Sequence, residues 1–144
     1  MPSVGSINAA DRFARVSFLI NAIPTNLDPH TITAVPGGTY ENQAVASVLS
    51  VMRSIGVPLG ITHASKPNLS STLWRTVWDQ KNKVLFFDSA TSPNAFWVPL
   101  SDMDFSEGAP VKKLMVAGGK VFAGNAASKF EPSEPFKFMP AEPN

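Results

Sequence analysis

An arginine stands between apolar neighbours in the run Leu73-Trp74-Arg75-Thr76-Val77. Read as a strand, the run puts Leu73, Arg75, Val77 and Asp79 on one face and Thr72, Trp74, Thr76 and Trp78 on the other. A guanidinium on an apolar face needs a partner. Its chemistry is orientation and charge stabilisation, because it does not give up its proton. Asp79 or a helix acid could serve as the structural partner, with the arginine stem packed on Trp74 or Trp78.

The other chemically capable residues are sparse. There is no cysteine, which excludes disulfides, thiolate metal sites and a cysteine nucleophile within this chain. His30 and His63 are the only histidines; both fall in loops without a spaced set of acidic partners, so no metal and no cofactor is expected. Gly37-Gly38 precedes a helix start and could hold an anion, but a turn ahead of Thr39 accounts for it better. Arg12 and Arg15, three apart, mark a solvated or interface side of the first helix. Trp74, Trp78 and Trp97 could line a pocket; sheet packing is the better account. Pro2 would follow a removable Met, as in enzymes that use a terminal proline as base. Those begin with a strand, whereas residues 2–11 here are turn and helix-cap material.

Composition narrows the partners. A length of 144 residues with 44% hydrophobic content suits one domain with a core and argues against disorder throughout. A net charge of +1 with no basic stripe argues against nucleic acid, and Lys112-Lys113 is too short a run to change that. No apolar run approaches the ~18–20 residues of a membrane span. The N-terminus lacks the basic-then-apolar order of a secretory signal.

The elements that must position these residues can be read from periodicity. Ala9, Phe13, Val16, Ile20 and Ile23 form one helical stripe, predicting a helix at about 8–23 with Asn8 as N-cap. A second helix at about 40–55 is capped by Thr39. It carries the stripe Ala44, Val48, Val51, Ile55 and a polar strip of Gln43, Ser47, Ser50 and Ser54. It reads as buried on most of its surface. Strands are predicted at about 72–79, 84–89 and 95–100, the last placed at an edge by Pro99. A short fourth strand falls within 112–116. From residue 117 to 144 the chain is Gly- and Pro-rich and reads as an extended tail, pinned by Phe130, Phe136 and Phe138. The fold class is therefore α+β. Two helices pack on one face of a small antiparallel sheet, with Phe13, Val16, Ile20, Val48, Val51 and Ile55 in the interface. Large apolar residues on both sheet faces ask for cover on both.

The segments ADRFARVSFLINAIP, VPLGI and STLWRTVWDQKNKVLFFDSATSPNAFWVPLSDMDFSEGAPVKKL resemble the choloylglycine hydrolase and penicillin V acylase family of linear amide C–N hydrolases. The similarity runs from about residue 9 to 114, and the chain resembles only the C-terminal half of the family. The resemblance implies half of a four-layer αββα sandwich of the N-terminal-nucleophile class, residues 1–116, followed by the tail. The second face of the sheet would then pack on a second sheet.

The resemblance also implies a mechanism. A terminal cysteine attacks the amide carbonyl, and an aspartate, arginines and an oxyanion hole assist it. All but one arginine belong to the N-terminal half. That late arginine matches near the start of the first strand, at Ser71, Leu73 or Arg75, and of these only Arg75 is an arginine. Arg75 is thus the candidate catalytic residue, orienting the nucleophile of a complete enzyme. The expected partners are the N-terminal half of the same enzyme, or a second copy of the chain. A small amide substrate is expected only in the complete enzyme, and this chain alone should be inactive.

Overall fold

The computed structural model describes residues 6–61, 64, 65 and 70–139. Helix α1 spans Ala9–Ala22 and helix α2 spans Tyr40–Ser54. Strands β1 (Trp74–Asp79), β2 (Val84–Ser89) and β3 (Ala95–Pro99) follow. Three two-residue strands complete the chain: β4 (Lys112–Lys113), β5 (Gly124–Asn125) and β6 (Glu131–Pro132). The sheet order is β1-β2-β3-β5, antiparallel except that β5 runs parallel to β3, and β4 pairs separately with β6. The helices and the first three strands lie within two residues of their predicted bounds.

Local chemistry explains the boundaries. Thr39 caps α2 by accepting from the Asn42 amide at 3.3 Å. Asn8 occupies the α1 cap position but makes no side-chain cap bond. Gly37 and Gly38 both have positive φ, 76° and 59°, which a turn of this shape demands of glycine. Their turn is held by Asn42 donating to the Pro36 carbonyl at 2.8 Å. In the β1–β2 loop, Asp79 accepts from the amide and side chain of Asn82 at 3.0 and 2.7 Å. That loop closes the hairpin with Asp79 opposite Val84.

The sheet is covered diagonally. α2 lies on the face of Arg75, Val77 and Asp88, towards the β1 end, and α1 packs on α2. On the opposite face, Phe96 and Val98 of β3 are sealed by Ala126, with Phe87, Met103, Leu114, Phe122 and Phe130 around them. Phe87 and Phe96 stack at 4.9 Å and Phe122 meets Phe96 edge-on at 5.9 Å. Neither cover reaches the far strand. Trp74 and Trp78 stay exposed on one face, and Trp97 on the other.

Several expectations need correction. Phe13 and Ile20 are 71% and 44% exposed rather than in the interface, whereas Val51 is buried and Val16, Val48 and Ile55 are half-buried. The packed stripe of α1 is rotated from the hydrophobic one: it runs through Arg12, Arg15, Val16, Leu19 and Ile23. The reason is polar, because Arg12 and Arg15 are drawn onto the carbonyls at the end of α2. In α2 only Gln43 and Val51 are fully buried. Gln43 is spent on the interhelical loop, accepting from the Asp28 amide at 2.8 Å and donating to the Asn26 carbonyl at 2.9 Å. β3 is not an edge strand; β5 pairs with its Phe96 and Trp97, and Pro99 lies beyond that pairing. Phe136 and Phe138 pin nothing: they are exposed and meet each other at 4.9 Å.

Candidate functional site

Register decides the environment of Arg75. The hairpin sets it directly opposite Asp88 of β2. Asp88 is only 5% exposed. A carboxylate taken that far from water is stable only if its oxygens are well paired. Arg75 Nη1 donates to Oδ2 at 3.1 Å. Arg53, in the last turn of α2, donates through Nη2 to Oδ1 at 2.8 Å and through Nε to Oδ2 at 3.2 Å. Hydrogen bonding from Arg53 holds the Asp88 carboxyl below the usual aspartate range, against the opposing pull of burial, and the charges of Arg53 and Arg75 add to the effect. The same bond to Asp88 raises Arg53.

Neither structural partner expected from the sequence is used. Asp79 is engaged with Asn82, and the acid that meets Arg75 comes from the neighbouring strand. Trp74 and Trp78 point to the other face, so they cannot carry its stem. Instead the guanidinium slides beneath Gly56, where a Cβ would lie 2.5 Å from Arg75 Nη2 and 3.3 Å from Cζ. A side chain at position 56 could be accommodated only if the guanidinium shifted. Ser71 and Leu73, the alternative positions for the catalytic arginine, do other work. Ser71 Oγ accepts from the Gly60 amide at 3.2 Å, and Leu73 is half-exposed.

The end of α2 gathers two more arginines. Arg12 Nε donates to the Ile55 carbonyl at 2.7 Å, and Arg15 Nη1 to that of Ser54 at 2.9 Å. These carbonyls lie at the negative end of the helix dipole and have no partner further along α2. Arg12, Arg15, Arg53 and Arg75 thus converge on residues 53–56 and on one buried carboxylate. Two donors of the group, Arg15 Nε and Arg75 Nε, are buried without a partner. Such a site can orient and neutralise negative charge. Its guanidiniums cannot abstract a proton or attack a carbonyl at neutral pH.

An open cleft of about 490 Å³ lies between the helices and their connecting loop, lined by Leu19, Ile23, Asp28, Gln43, Ser50 and Val51 among others. Arg75 does not line it. Asp28 is occupied there by the His30 amide at 2.9 Å and the Thr31 hydroxyl at 2.8 Å, which lower its pKa. Among the described residues no three His, Asp or Glu side chains come together to hold a metal, and His63 and Pro2 lie outside those residues. No helix among them is long and apolar enough to cross a membrane.

Sequence reasoning missed Asp88, Arg53 and Gly56. The signal for Asp88 was available: once Asp79 pairs with Val84 across the turn, counting back along an antiparallel hairpin puts Arg75 opposite Asp88.

Known proteins share this arrangement of elements. The penicillin V acylase of Pectobacterium atrosepticum is 39% identical over 139 residues, which is 93% of this chain and 36% of the acylase. The solved structure of penicillin V acylase from Agrobacterium tumefaciens superposes with a TM-score of 0.77 at 42% identity, covering 94% of this chain and 40% of that one. The chain therefore spans well under half the length of either relative. The sequence model of the linear amide C–N hydrolases, choloylglycine hydrolase family, matches residues 1–112. With most of its length inside that match and its fold shared with a solved acylase, the chain belongs to the choloylglycine hydrolase family of linear amide C–N hydrolases.

Proposed function

We propose that this chain serves the hydrolysis of a linear amide C–N bond as the C-terminal, nucleophile-free portion of an acylase-type enzyme, and that alone it turns over no amide. The observation that carries this reading is a family member of 144 residues without a single cysteine. The hydroxyls of Ser6, Thr31, Ser101 and Ser106 meet the carboxylates of Asp11, Asp28, Asp102 and Asp104; these are local turn and cap contacts rather than a hydroxyl paired with a histidine or amine base. In this reading Arg75 orients the nucleophile of the complete enzyme, its buried and unpartnered Nε being the donor still free to do so. The substrate is a small amide of the kind cleaved by the relatives, and the partner is the N-terminal half of the enzyme.

A second reading makes the chain a non-catalytic subunit that associates with that half or with a second copy of itself. The Arg75–Asp88 pair favours it, because that bond gives Arg75 a purely structural task. An amine-release assay of the purified chain on penicillin V and on a conjugated bile salt tests the inactivity, with buffer-level rates expected. Turnover that persists through repurification overturns it. In the complete enzyme, a loss of kcat on Arg75→Lys with stability retained supports the catalytic role; parallel loss of stability and activity supports the structural one.

A further inference from the structure

Positive charge is not spread evenly along the chain. Residues 111–139 hold five lysines and two glutamates, whereas residues 1–110 hold seven basic and eight acidic residues. All five lysines, Lys112, Lys113, Lys120, Lys129 and Lys137, are exposed. Among the described residues the ion pairs lie elsewhere, at Asp88 and Glu41, and none engages these lysines. Asp104 is bonded to Ser106 at 2.7 and 2.9 Å and meets Lys112 only through longer-range charge. The same segment carries the three most exposed large apolar side chains among the described residues. Phe136, Phe138 and Met139 are 78%, 86% and 91% exposed.

Folding brings the two features together. β4 pairs with β6 apart from the main sheet, setting Lys112 opposite Pro132 and Lys113 opposite Glu131. The Ser133 amide donates to the Val111 carbonyl at 2.8 Å, which carries the contact one residue further. The chain leaving β6 then runs beside the lysines. Lys112, Lys113, Phe136 and Lys137 share the walls of one groove of about 550 Å³, with Glu134 as its one acid. A second groove, of about 370 Å³, sets Lys120 and Lys129 beside Met115, Val121 and Glu131. The family match ends at residue 112, ahead of four of the five lysines and all three apolar tips.

We propose that the β4–β6 ladder and the tail after it form a docking surface for an anionic lipid bilayer, with the lysines against the headgroups and Phe136, Phe138 and Met139 in the acyl boundary. The inference is independent of the amide-hydrolysis reading and goes beyond it. Lysines without ion-pair partners call for a negatively charged partner, and the apolar tips beside them for one whose interior is apolar just beneath that charge. A long lysine stem with a point charge suits diffuse headgroup charge. Residues 111–139 contain no arginine to fork a phosphate or read a base edge, which disfavours nucleic acid. An acidic protein would need a shaped counter-surface. A bilayer conforms to a two-residue ladder and an extended tail.

The test is sedimentation of the purified full chain with vesicles of phosphatidylglycerol and phosphatidylcholine in equal parts, against vesicles of phosphatidylcholine alone. The chain should pellet with the anionic vesicles and not with the neutral ones. Raising salt from about 0.1 M to about 1 M, which shortens the screening length from about 10 Å to about 3 Å, should release it. Lys112→Ala/Lys113→Ala/Lys137→Ala should weaken binding about a hundredfold, about fivefold per lysine. Phe136→Ser/Phe138→Ser should weaken it about tenfold and leave the salt dependence unchanged. Trp74→Thr/Trp78→Thr, on β1, should bind like the parent. All these positions are exposed, so circular dichroism should show each variant folded. Equal pelleting with neutral vesicles overturns the proposal, as does binding lost in the tryptophan variant but kept in the lysine one. So does a short DNA duplex bound as tightly as the anionic vesicles and indifferent to the phenylalanines, which would mark a plain polycation. Self-association that Phe136→Ser/Phe138→Ser abolishes, without vesicle binding, assigns the tail to a second copy and also overturns it.

Discussion

The two ends of one sheet are finished by different physics. At the β3 end, closure is apolar and comes from nearby sequence: residues 114–130 fold back so that Phe122, Ala126 and Phe130 cover Phe96 and Val98. At the β1 end, closure is ionic and comes from afar: α2 is fastened through Arg53 and Asp88, thirty-five residues apart. The apolar end has its edge paired with β5, while the ionic end leaves two tryptophans bare and, among the described residues, has no strand beside β1 other than β2. The difference shows where the chain is self-sufficient. Aromatic cover seals both face and edge, whereas a charge clasp fixes one face and does nothing for the other.

The largest effect expected in breaking this contrast is at the apolar end. Phe96 is 6% exposed and touches Phe87 and Phe122. Phe96→Ala should cost about 3–5 kcal/mol, releasing the segment after β3 before the hairpin. Urea titration followed by amide exchange checks this. Residues 122–130 should lose protection first; uniform loss across the sheet would mean that the two ends are a single cooperative unit.

The ionic end should yield somewhat less. Asp88→Ala leaves Arg75, its side chain 15% exposed, without its carboxylate, while Arg53, half-exposed, can turn to water. A loss of about 3 kcal/mol is expected, at the lower end for a broken buried pair. The pH dependence has a definite sign. Asp88 titrates lower folded than unfolded, so its contribution is fully present above the ordinary aspartate value of 3.8. It disappears as pH falls through the lower, folded value. Urea midpoints measured from pH 7 downward should fall across that acid window, and Asp88→Asn should flatten the fall. Asp79 and Asp104, also lowered by hydrogen bonds, contribute with the same sign and leave a residual slope.

How much of this the sequence discloses depends on the range of the interaction. Helix and strand positions were legible because they rest on local periodicity and on caps such as Thr39. The hairpin was legible because Gln80 to Lys83 are turn residues, and so was an uncovered apolar face. The orientation of α1 was not, because a hydrophobic stripe containing Phe13 and Ile20 lost to two arginines seeking carbonyls on another helix. β5 was not, because two residues, one of them glycine, carry no period. Of the candidate site, Arg75 was identified by its anomalous setting, but Arg53 and Gly56 approach it only through tertiary folding.

Gly56→Ala should act mainly through Arg75. The new Cβ would meet the guanidinium at 2.5 Å, and Arg75 is held by Asp88, so it cannot simply swing aside. A cost of about 1–2 kcal/mol is expected from this overpacking. In an Arg75→Ala background the same change should cost clearly less, with only the Arg53 carbonyl still 3.3 Å from the new Cβ, a coupling that a double-mutant cycle measures. Additive effects would place the strain in the backbone at Gly56 and detach it from the clasp.

The smallest effect is expected where the bare face makes its own case. Trp78 lies on the same sheet face as Phe96 and is the larger aromatic, but it is 53% exposed against 6%. Transfer energy follows the area removed from water, so an indole that stays half in water contributes only about half of what a buried one would. Threonine suits a strand surface as well as tryptophan does. Trp78→Thr should therefore shift the stability of the isolated chain by no more than about 1 kcal/mol, as read from urea midpoints by circular dichroism. A loss above about 1.5 kcal/mol, approaching that of a core side chain, would show that Trp78 is already covered in solution. The contrast between the two ends of the sheet would then collapse.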